Sequence, residues 1–489
     1  MPFRSLKSGR LQFLDSAQLG ALDQAVRTVL AEVGVQVDHL PAWEVFAGAG
    51  CTVDRERHIV RVPSDVLQRA LDAAPDEFTL HAPVAEHAVR VTLDDVYTVA
   101  GSSALHVLDL EGRRRPASQQ DLADLTRLID ALPQAHIMHA MVVPQELPQV
   151  GFDRRMMATI LPNTTKHYYS QGAGGSSIAD QVEMAAVVQG STLSVRTAPR
   201  FSLVVCFISP LVHGKQPVEE MMACAEHGIP LWLEPTNMMG ATAPLSIAGS
   251  VVEHTASALA GLVLVQLLRP GHPCVLATAS GSMNMHTGSY VGASPEAVLA
   301  HCATAQLAHA YGLPFQGGSG LDACLPDAQA GFERMLQAAP MALAGVNFIH
   351  LAFGMIDQLL TASYEQAVID NEILAAAFRL AEGFEVTPET IGLDQLRTVG
   401  PGGNFLTEPY TVRNLRRLQW QPQLSTRLVW EDWQETHGGR DMRQRANQMA
   451  RRLLEQHHPD LVSREQAAEL ERMAIAFQKR AIEAAERSS

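Results

Sequence analysis

Short apolar runs alternate with longer amphipathic stretches through the middle of the chain, across residues 96–349. The short runs, for example 137–143, 201–208 and 274–279, have the length of buried β-strands. The stretches between them, such as 118–131, place apolar residues at helical spacing. Strands that alternate with helices predict a parallel sheet with helical crossovers.

About eight strands fit this alternation, which is the number found in a (β/α)₈ or TIM barrel, an α/β fold. A doubly wound open sheet is the competing topology, but no GxGxxG motif occupies the first strand-to-helix turn. The predicted strands are residues 96–100, 137–143, 166–170, 201–208, 229–233, 274–279, 313–315 and 346–349.

The flanks of this series have a different character, which predicts three parts. Residues 1–95 are predicted to form an N-terminal appendage of helices and β-ribbon. Residues 96–385 make the barrel, with a helix over 363–382 closing it. Residues 386–489 are charged and helical, and are predicted to be a C-terminal extension packed on the barrel.

Composition and charge exclude several classes of partner. The chain has 489 residues, a net charge of −15 and no long basic stretch, so nucleic acid is not an expected partner. Its six cysteines form no CxxC pair and predict reduced thiols in a cytoplasmic protein. The N-terminus lacks an apolar signal core, and the apolar run 258–268 is too short for a membrane span. No membrane association is expected.

Conventional metal and nucleophile motifs do not explain this chain. His136 and His139 form an HxxH pair, but within a strand they face opposite sides of the sheet. There is no HExxH and no GxSxG motif. We therefore expect no bound zinc or iron.

A ring of polar residues at the predicted strand ends is the candidate site, because barrel enzymes work at that end. Glu234 ends an apolar strand, where it either faces a cation or caps the next helix or pairs with a lysine. His350 ends the last strand in the same way. Further polar candidates are Gln171, Asn237, Asp322, Asp327 and Gln329, of which Asp327 and Gln329 most simply begin a helix.

Aromatic residues accompany these strand ends and offer a cation–π box for a quaternary ammonium group. Core packing is the alternative for each of them, and it is the better interpretation for Trp232. The aromatic candidates are Tyr168, Tyr169, Trp232, Phe315 and Phe353.

Several segments resemble the trimethylamine methyltransferase family. They are GLPFQGGSGLDACLPDAQAGFE followed by LAGVNFIH, VLAEVGVQVDHLPAWEVFAGAGCTVD near the N-terminus, and TVGPGGNFLTEPYT near the C-terminus. The resemblance spans nearly the whole chain. It implies a barrel whose open mouth receives a methyl acceptor, the cobalt of a corrinoid carried by a separate protein.

The resemblance also bears on the substrate. Archaeal members that demethylate trimethylamine hold pyrrolysine inside the barrel, whereas this chain contains only standard residues. Pyrrolysine-lacking relatives are associated with glycine betaine and other quaternary amines, so a betaine is the expected substrate. Direct methyl transfer to tetrahydrofolate and a non-catalytic quaternary-ammonium-binding barrel are the alternatives, and a homo-oligomer is compatible with all three.

Strand-end position and resemblance together give the predicted site. The expected catalytic residues are Glu234, His350 and Asp327. The expected substrate-binding residues are Tyr169, Gln171, Phe315, Gly317, Gly318, Gln329, His350 and Phe353.

Overall fold

Eight parallel strands close into a barrel in the structure, a computed structural model that describes residues 6–7, 9 and 11–488. Each strand pairs with the next, the first two through a single bridge between Val99 and Ile137, and the ring closes where Phe348 of the last strand lies beside Tyr97 of the first. The predicted TIM barrel is therefore confirmed, and an open sheet is excluded. The strands are β1 Asp95–Thr98, β2 Ile137–His139, β3 His167–Gln171, β4 Phe201–Ile208, β5 Leu231–Thr236, β6 Cys274–Thr278, β7 Phe315–Gly317 and β8 Phe348–Ile349.

A helix follows each strand and returns the chain to the start of the next one. Several helices begin at side-chain caps, as when Ser118 accepts from the amide of Asp121 and Ser363 from that of Gln366. The helices are α1 Gln119–Ala131, α2 Phe152–Ile160, α3 Gly175–Gln189, α4 Lys215–His227, α5 Ile247–Leu268, α6 Pro295–Ala310, α7 Ala328–Ala344 and α8 Tyr364–Glu382.

Helix α5 is mostly apolar and is long enough to cross a membrane, which the apolar run alone did not indicate. Among the described helices it alone has that property, and 83% of its most apolar 18-residue window is buried in the protein. It contacts α4, α6 and strands β5 and β6 on one side and the N-terminal helices on the other. It is therefore a core helix.

The N-terminal region combines helices with short strands, as predicted for the appendage. Its strands 35–37, 52–54 and 59–61 pair together, and the first of them also joins a short strand after β4. Its helices are Ser16–Thr28, Val29–Val33 (a π-turn), Leu40–Gly48 and Ser64–Ala73.

A β-hairpin closes the end of the barrel where the strands begin. Its strands, Phe78–Leu80 and Val89–Val91, place Leu80, Val89 and Val91 in the same buried cluster as Trp232 of the barrel interior. The carbonyl oxygen of the next residue, His81, lies 2.7 Å from Nδ1 of His167 at the start of β3. The opposite end, where the strands finish, is the mouth of the barrel.

Small sheets formed by the loops surround the mouth. One contains Met238–Met239, Gly281–Met283 and Tyr290–Val291. The other contains His106–Leu108, Arg114–Pro116, Met355–Ile356 and Thr361–Ser363.

The chain after the barrel is helical, as predicted for the C-terminal extension. Helix α13 packs on α8 and α1, and helix α14 packs on α2 and α3. Arg443 to Glu365 and Arg155 to Glu471 are ion pairs that tie these two helices to the barrel. The helices after α8 are α9 Pro388–Ile391, α10 Leu393–Val399, α11 Pro409–Leu418, α12 Trp430–His437, α13 Met442–Gln456 and α14 Arg464–Ser488.

Candidate active site

Four polar side chains from different strands meet inside the mouth of the barrel. They are Tyr169 of β3, Glu234 of β5, Gln316 of β7 and His350 just after β8, and all four are buried. Side chains of a strand alternate between its two faces, so residues two apart share a face. Trp232 faces the barrel interior, and Glu234, two residues on, therefore faces it too, nearer the mouth. We call these four residues the mouth cluster.

Glu234 is the centre of the mouth cluster. Its Oε2 atom accepts a hydrogen bond from Nε2 of Gln316 at 2.8 Å and lies 3.5 Å from the Tyr169 hydroxyl. Nδ1 of His350 lies 3.6 Å from the same oxygen. Among the described residues, neither Lys nor Arg lies within 4.0 Å of it. Glu234 is thus a buried carboxyl group without a fixed cation, and it neither caps a helix nor pairs with a lysine.

Two buried polar atoms of the mouth cluster have no partner among the described residues. They are Nε2 of His350 and Oε1 of Gln316. An unpaired buried polar atom costs about 1–3 kcal/mol, and native proteins rarely leave one unsatisfied. These two atoms are therefore available to hydrogen-bond to a polar group that enters the mouth.

His139 on β2 borders the mouth cluster, although its HxxH motif gave no reason to expect it there. Its ring centroid lies 4.7 Å from that of Tyr169 and 5.7 Å from that of His350. Its Nδ1 atom lies 2.6 Å from the Tyr169 carbonyl oxygen and donates to it. Burial, with the nearby His350, lowers the pKa of His139 to about 3, so the ring is neutral at physiological pH.

Aromatic rings continue from the mouth cluster down the barrel axis. Tyr169 meets Trp232 edge to face at 4.8 Å, and Trp232 meets Phe348 at 4.7 Å in the same way. Burial and the charge of Glu234 raise the pKa of Tyr169 well above its ordinary value, which keeps its hydroxyl protonated. Tyr169 and Trp232 are therefore neutral aromatic rings close to a carboxylate.

The other predicted aromatic residues do not join this group. Tyr168, Phe315 and Phe353 belong to the outer core between barrel and helices. Phe315 precedes the inward-facing Gln316, so alternation turns it toward the helices. The prediction that they form part of an aromatic box does not fit this position, because each of them packs in the hydrophobic core.

The glycines of the predicted site serve the backbone. A Cβ atom on Gly317 would lie 2.9 Å from Nδ1 of His301, on the helix side of β7. A Cβ atom on Gly318, whose φ is +155°, would lie 2.2 Å from the carbonyl oxygen of His350. Gly318 is therefore required for the close approach of the chain after β7 to the residue that carries the His350 imidazole.

Gln171 lies at the end of β3 and is partly exposed. Its Oε1 atom accepts from the Ser103 hydroxyl at 3.0 Å, which ties β3 to the loop after β1. It lies at the mouth, as predicted, but none of its hydrogen bonds reaches the mouth cluster.

Asp327 and Gln329 lie at the exposed start of α7. Oδ1 of Asp327 accepts from the backbone amides of Gln329 at 2.9 Å and Ala330 at 3.3 Å, which makes Asp327 a helix cap. Nε2 of Gln329 donates to Glu333. The structure does not bring either residue into the mouth cluster.

Cys206 is a further residue at the mouth that the sequence reasoning missed. It shares a face of β4 with Val204 of the barrel interior, and its Sγ atom lies 3.9 Å from Oε1 of Glu234. The thiol is open to solvent, but the surrounding barrel wall and Glu234 raise its pKa well above the ordinary value. No three His, Cys, Asp or Glu side chains of the described chain are arranged to hold a metal ion.

Comparison with known proteins assigns the family. The profile of the trimethylamine methyltransferase (MTTB) family matches residues 2–483. The chain belongs to this family. The predictions of family and of a methyltransferase are confirmed.

Members of the family with known names match the chain over nearly its full length. It is 30% identical over 464 residues to a glycine betaine methyltransferase of Desulfitobacterium hafniense (strain Y51), covering 94% of this chain and 96% of the relative. It is 31% identical over 466 residues to the trimethylamine methyltransferase MttB of Methanosarcina thermophila, covering 93% and 95%. Among solved structures, the monomethylamine methyltransferase MtmB of Methanosarcina barkeri has a TM-score of 0.47 at 12% identity, covering 89% and 91%.

Proposed function

We propose that this protein demethylates a quaternary amine, glycine betaine or a related betaine, and passes the methyl group to a corrinoid protein in the cytoplasm. The observation that carries the proposal is the mouth cluster. Glu234 presents a buried carboxyl group without a lysine or arginine partner, beside the rings of Tyr169 and Trp232. A compact organic cation with apolar methyl groups matches such a site.

A trimethylammonium group at the mouth cluster would pair its charge with the Glu234 carboxylate and place its methyl groups near the aromatic rings. Each aromatic face contributes on the order of 0.5–2 kcal/mol to a bound cation. The carboxylate of a betaine needs donors on the side away from Glu234. Nε2 of His350 is such a donor when Nδ1 accepts from Gln316 Nε2, 3.1 Å away. In that tautomer the imidazole separates the two negative charges.

The chemistry requires no proton transfer from the protein. As the methyl carbon leaves, both electrons of its bond to nitrogen stay on nitrogen, and a neutral tertiary amine results. The new bond to the methyl carbon takes its electron pair from the acceptor. Glu234 and His350 therefore act by holding one methyl group in line with the mouth. Asp327, whose Oδ1 atom caps α7, has no part in this scheme.

The acceptor substrate approaches from the mouth, because the hairpin over residues 78–91 fills the other end. A reduced corrinoid supplies a cobalt nucleophile for the methyl group. Exposed apolar side chains at the loops and strand ends of the mouth, Leu105, Ile208 and Met285, fit a large apolar cofactor edge or the protein that carries it. Tetrahydrofolate is the alternative acceptor.

A turnover assay tests the proposal. Purified protein is supplied with glycine betaine, other betaines or trimethylamine, together with cob(I)alamin or tetrahydrofolate, and the demethylated amine is measured. We expect turnover with a betaine and cob(I)alamin. If trimethylamine were the one amine that is turned over, the proposed substrate class would be wrong. If tetrahydrofolate were the one acceptor that supports turnover, the proposed acceptor would be wrong. Betaine binding without turnover under any condition would leave a binding protein.

A further inference from the structure

The segment between α8 and α13 exposes an unusual amount of apolar surface. We call residues 384–430 the C-terminal arm. It holds 13 of the 29 exposed large hydrophobic side chains of the described chain, although it is only a tenth of the sequence. Phe384 is 86% exposed, Leu406 80% and Trp430 63%.

The arm has almost no core of its own. Helices α9, α10, α11 and α12, all fully described, contain no buried residue, and Leu424 is the one buried side chain between residues 384 and 430. Helices of this length are marginal in water unless an apolar face is packed against something. In α11 that face is present: Val412, Leu415 and Leu418 recur every three residues and are all exposed. The arm is therefore built to be covered.

The start of the arm and its helix α11 lie away from the reaction. Strands end at the mouth and helices return from it, so α8 ends, and the arm begins, at the closed end of the barrel. The chain that follows the arm is back at the mouth end of α8, where Arg443 pairs with Glu365. A cavity of about 960 Å³ beneath the arm is lined by Phe378 and Tyr410 and also by Gln134, which precedes β2. A methyl acceptor must reach the mouth, so the acceptor protein is not what covers α11 and this cavity at the closed end.

The charge distribution indicates which partner covers the arm. Five arginines and four acidic residues give the arm a net charge of +1. The whole chain has a net charge of −15, so the residues outside the arm carry −16. Two copies of so acidic a chain repel each other over most of their surface. The arm is the part where they can meet without that repulsion, with arginines on α11 and acids at Glu385 and Glu389 available to pair across the contact.

We propose that the arm is a homodimer interface, in which the arms of two copies pack on each other around a two-fold axis. A contact of this kind uses the same surface on both partners. A stable interface takes about 20–30 residues from each side, and the arm has enough exposed residues to supply them. Trp430, Phe384 and the arginines of α11 are of the residue types that dominate interface energies. This interface does not depend on which amine is the substrate, although the exclusion of the acceptor protein rests on the proposed function.

The mass of the full chain in solution, measured by light scattering and sedimentation, tests the proposal. The wild type should have twice the 53.0 kDa of one chain. The double variant Leu406→Glu, Val412→Glu should sediment as a monomer with unchanged far-ultraviolet circular dichroism. In the matched control Leu193→Glu, a side chain that is 69% exposed outside the arm also gains a charge, and the dimer should persist.

Two results would overturn the proposal: a wild type that is monomeric at tens of micromolar, or an arm variant that keeps the dimer mass. If the arm variant aggregates, hydrogen exchange on the wild type decides. Amides of α11 should be protected at high concentration and lose that protection on dilution, in step with the loss of dimer mass. Protection that is the same at every concentration, or that arises only when a corrinoid protein is added, would contradict a homodimer.

Discussion

A single amide connects the mouth cluster. Nε2 of Gln316 lies within 3.1 Å of Tyr169, Glu234 and His350, yet an amide has only two hydrogens to donate. The Tyr169 hydroxyl and the His350 tautomer must therefore arrange themselves around it. Gln316 thereby fixes the direction of the atoms that face a ligand, although it adds no charge.

Replacement of Gln316 tests that role. Gln316→Leu removes the closest hydrogen-bond donor of Glu234 and leaves a buried carboxyl group short of a partner. We expect kcat/KM to fall by about 10- to 100-fold, or roughly 1.4–2.7 kcal/mol. The control is Phe315→Leu, one residue earlier on the outer face, which should lower the melting temperature and leave kcat/KM unchanged. Full activity in Gln316→Leu would refute the role.

His350 offers a second test at this scale. His350→Ala removes the unpaired Nε2 atom and the partner of Glu234, so affinity or turnover for the best betaine should fall about tenfold or more, about 1.4 kcal/mol. The melting temperature should change little. Phe353→Ala should behave in the opposite way: Phe353 is 0% exposed in the outer core, and the cavity should cost about 3–5 kcal/mol of stability. Unchanged betaine affinity and turnover in His350→Ala would move the site elsewhere.

The sequence indicated some of these residues and not others, for a physical reason. Glu234 and His350 are polar residues at the ends of otherwise apolar strands, and that pattern is visible in the sequence. Gln316 was missed because both faces of a parallel barrel strand are buried, so the run before it does not say which residue faces inward. The same ambiguity put Phe315 in the predicted site. Asp327 was included because a helix cap and a catalytic carboxylate look alike in sequence.

At the scale of elements, the contact between the chain after β7 and the end of β8 sets the geometry of the site. Gly318→Ala would bring a Cβ atom to 2.2 Å from the His350 carbonyl oxygen, at a φ that L-residues rarely adopt. We expect both a lower melting temperature and lower kcat, because the backbone that carries His350 must shift. Circular dichroism melts and steady-state kinetics measure the two effects.

The control for that substitution is Gly331→Ala in α7, where an added Cβ atom has nothing within 4 Å. There alanine should stabilise by about 0.5–1 kcal/mol, since it restricts the unfolded chain and favours the helix. If Gly318→Ala were as harmless as Gly331→Ala, the close approach would not matter for the site.

The barrel strands were predictable because each is a short apolar run, whereas the closing hairpin was not. Residues 78–80 and 89–91 contact barrel residues that are distant in the sequence. Nothing in the local sequence of the hairpin indicates that it fills the end of the barrel. The boundaries at residues 95 and 385 between the three parts of the chain remain predictions. Some strands are shorter than the apolar runs that predicted them, as β2 and β8 illustrate, whereas β4 has the predicted bounds.

At the scale of the whole molecule, seven buried histidines predict instability in acid. Burial is the first cause in each case, and it lowers the pKa of each to about 3 or 4 from an ordinary value of 6.5. Between those values the unfolded chain binds more protons than the folded one, so the free energy of unfolding falls as pH falls through 6.5. The residues are His136, His139, His167, His213, His254, His272 and His301.

Denaturant titrations at pH 7.5, 6.5, 5.5 and 5.0 measure this dependence. Each histidine contributes up to about 1.4 kcal/mol per pH unit within the window. Asp370, Glu220 and Glu253 oppose it, because burial raises the pKa of each and the folded state then holds more protons. The histidines outnumber them, so a net loss of stability below pH 6.5 is expected. A flat profile from pH 7.5 to 5.0 would contradict the prediction.

The plugged end of the barrel has a kinetic consequence. Because Leu80, Val89 and Val91 fill one end, every reactant and product must pass through the mouth of the barrel. The amine that enters first lies underneath the acceptor that follows, and the demethylated amine leaves only after the methylated acceptor has departed. Turnover should therefore follow a compulsory order, with the amine first in and last out. Excess acceptor should inhibit turnover by binding at the mouth of the enzyme before the amine has entered. Raising the amine concentration should relieve that inhibition.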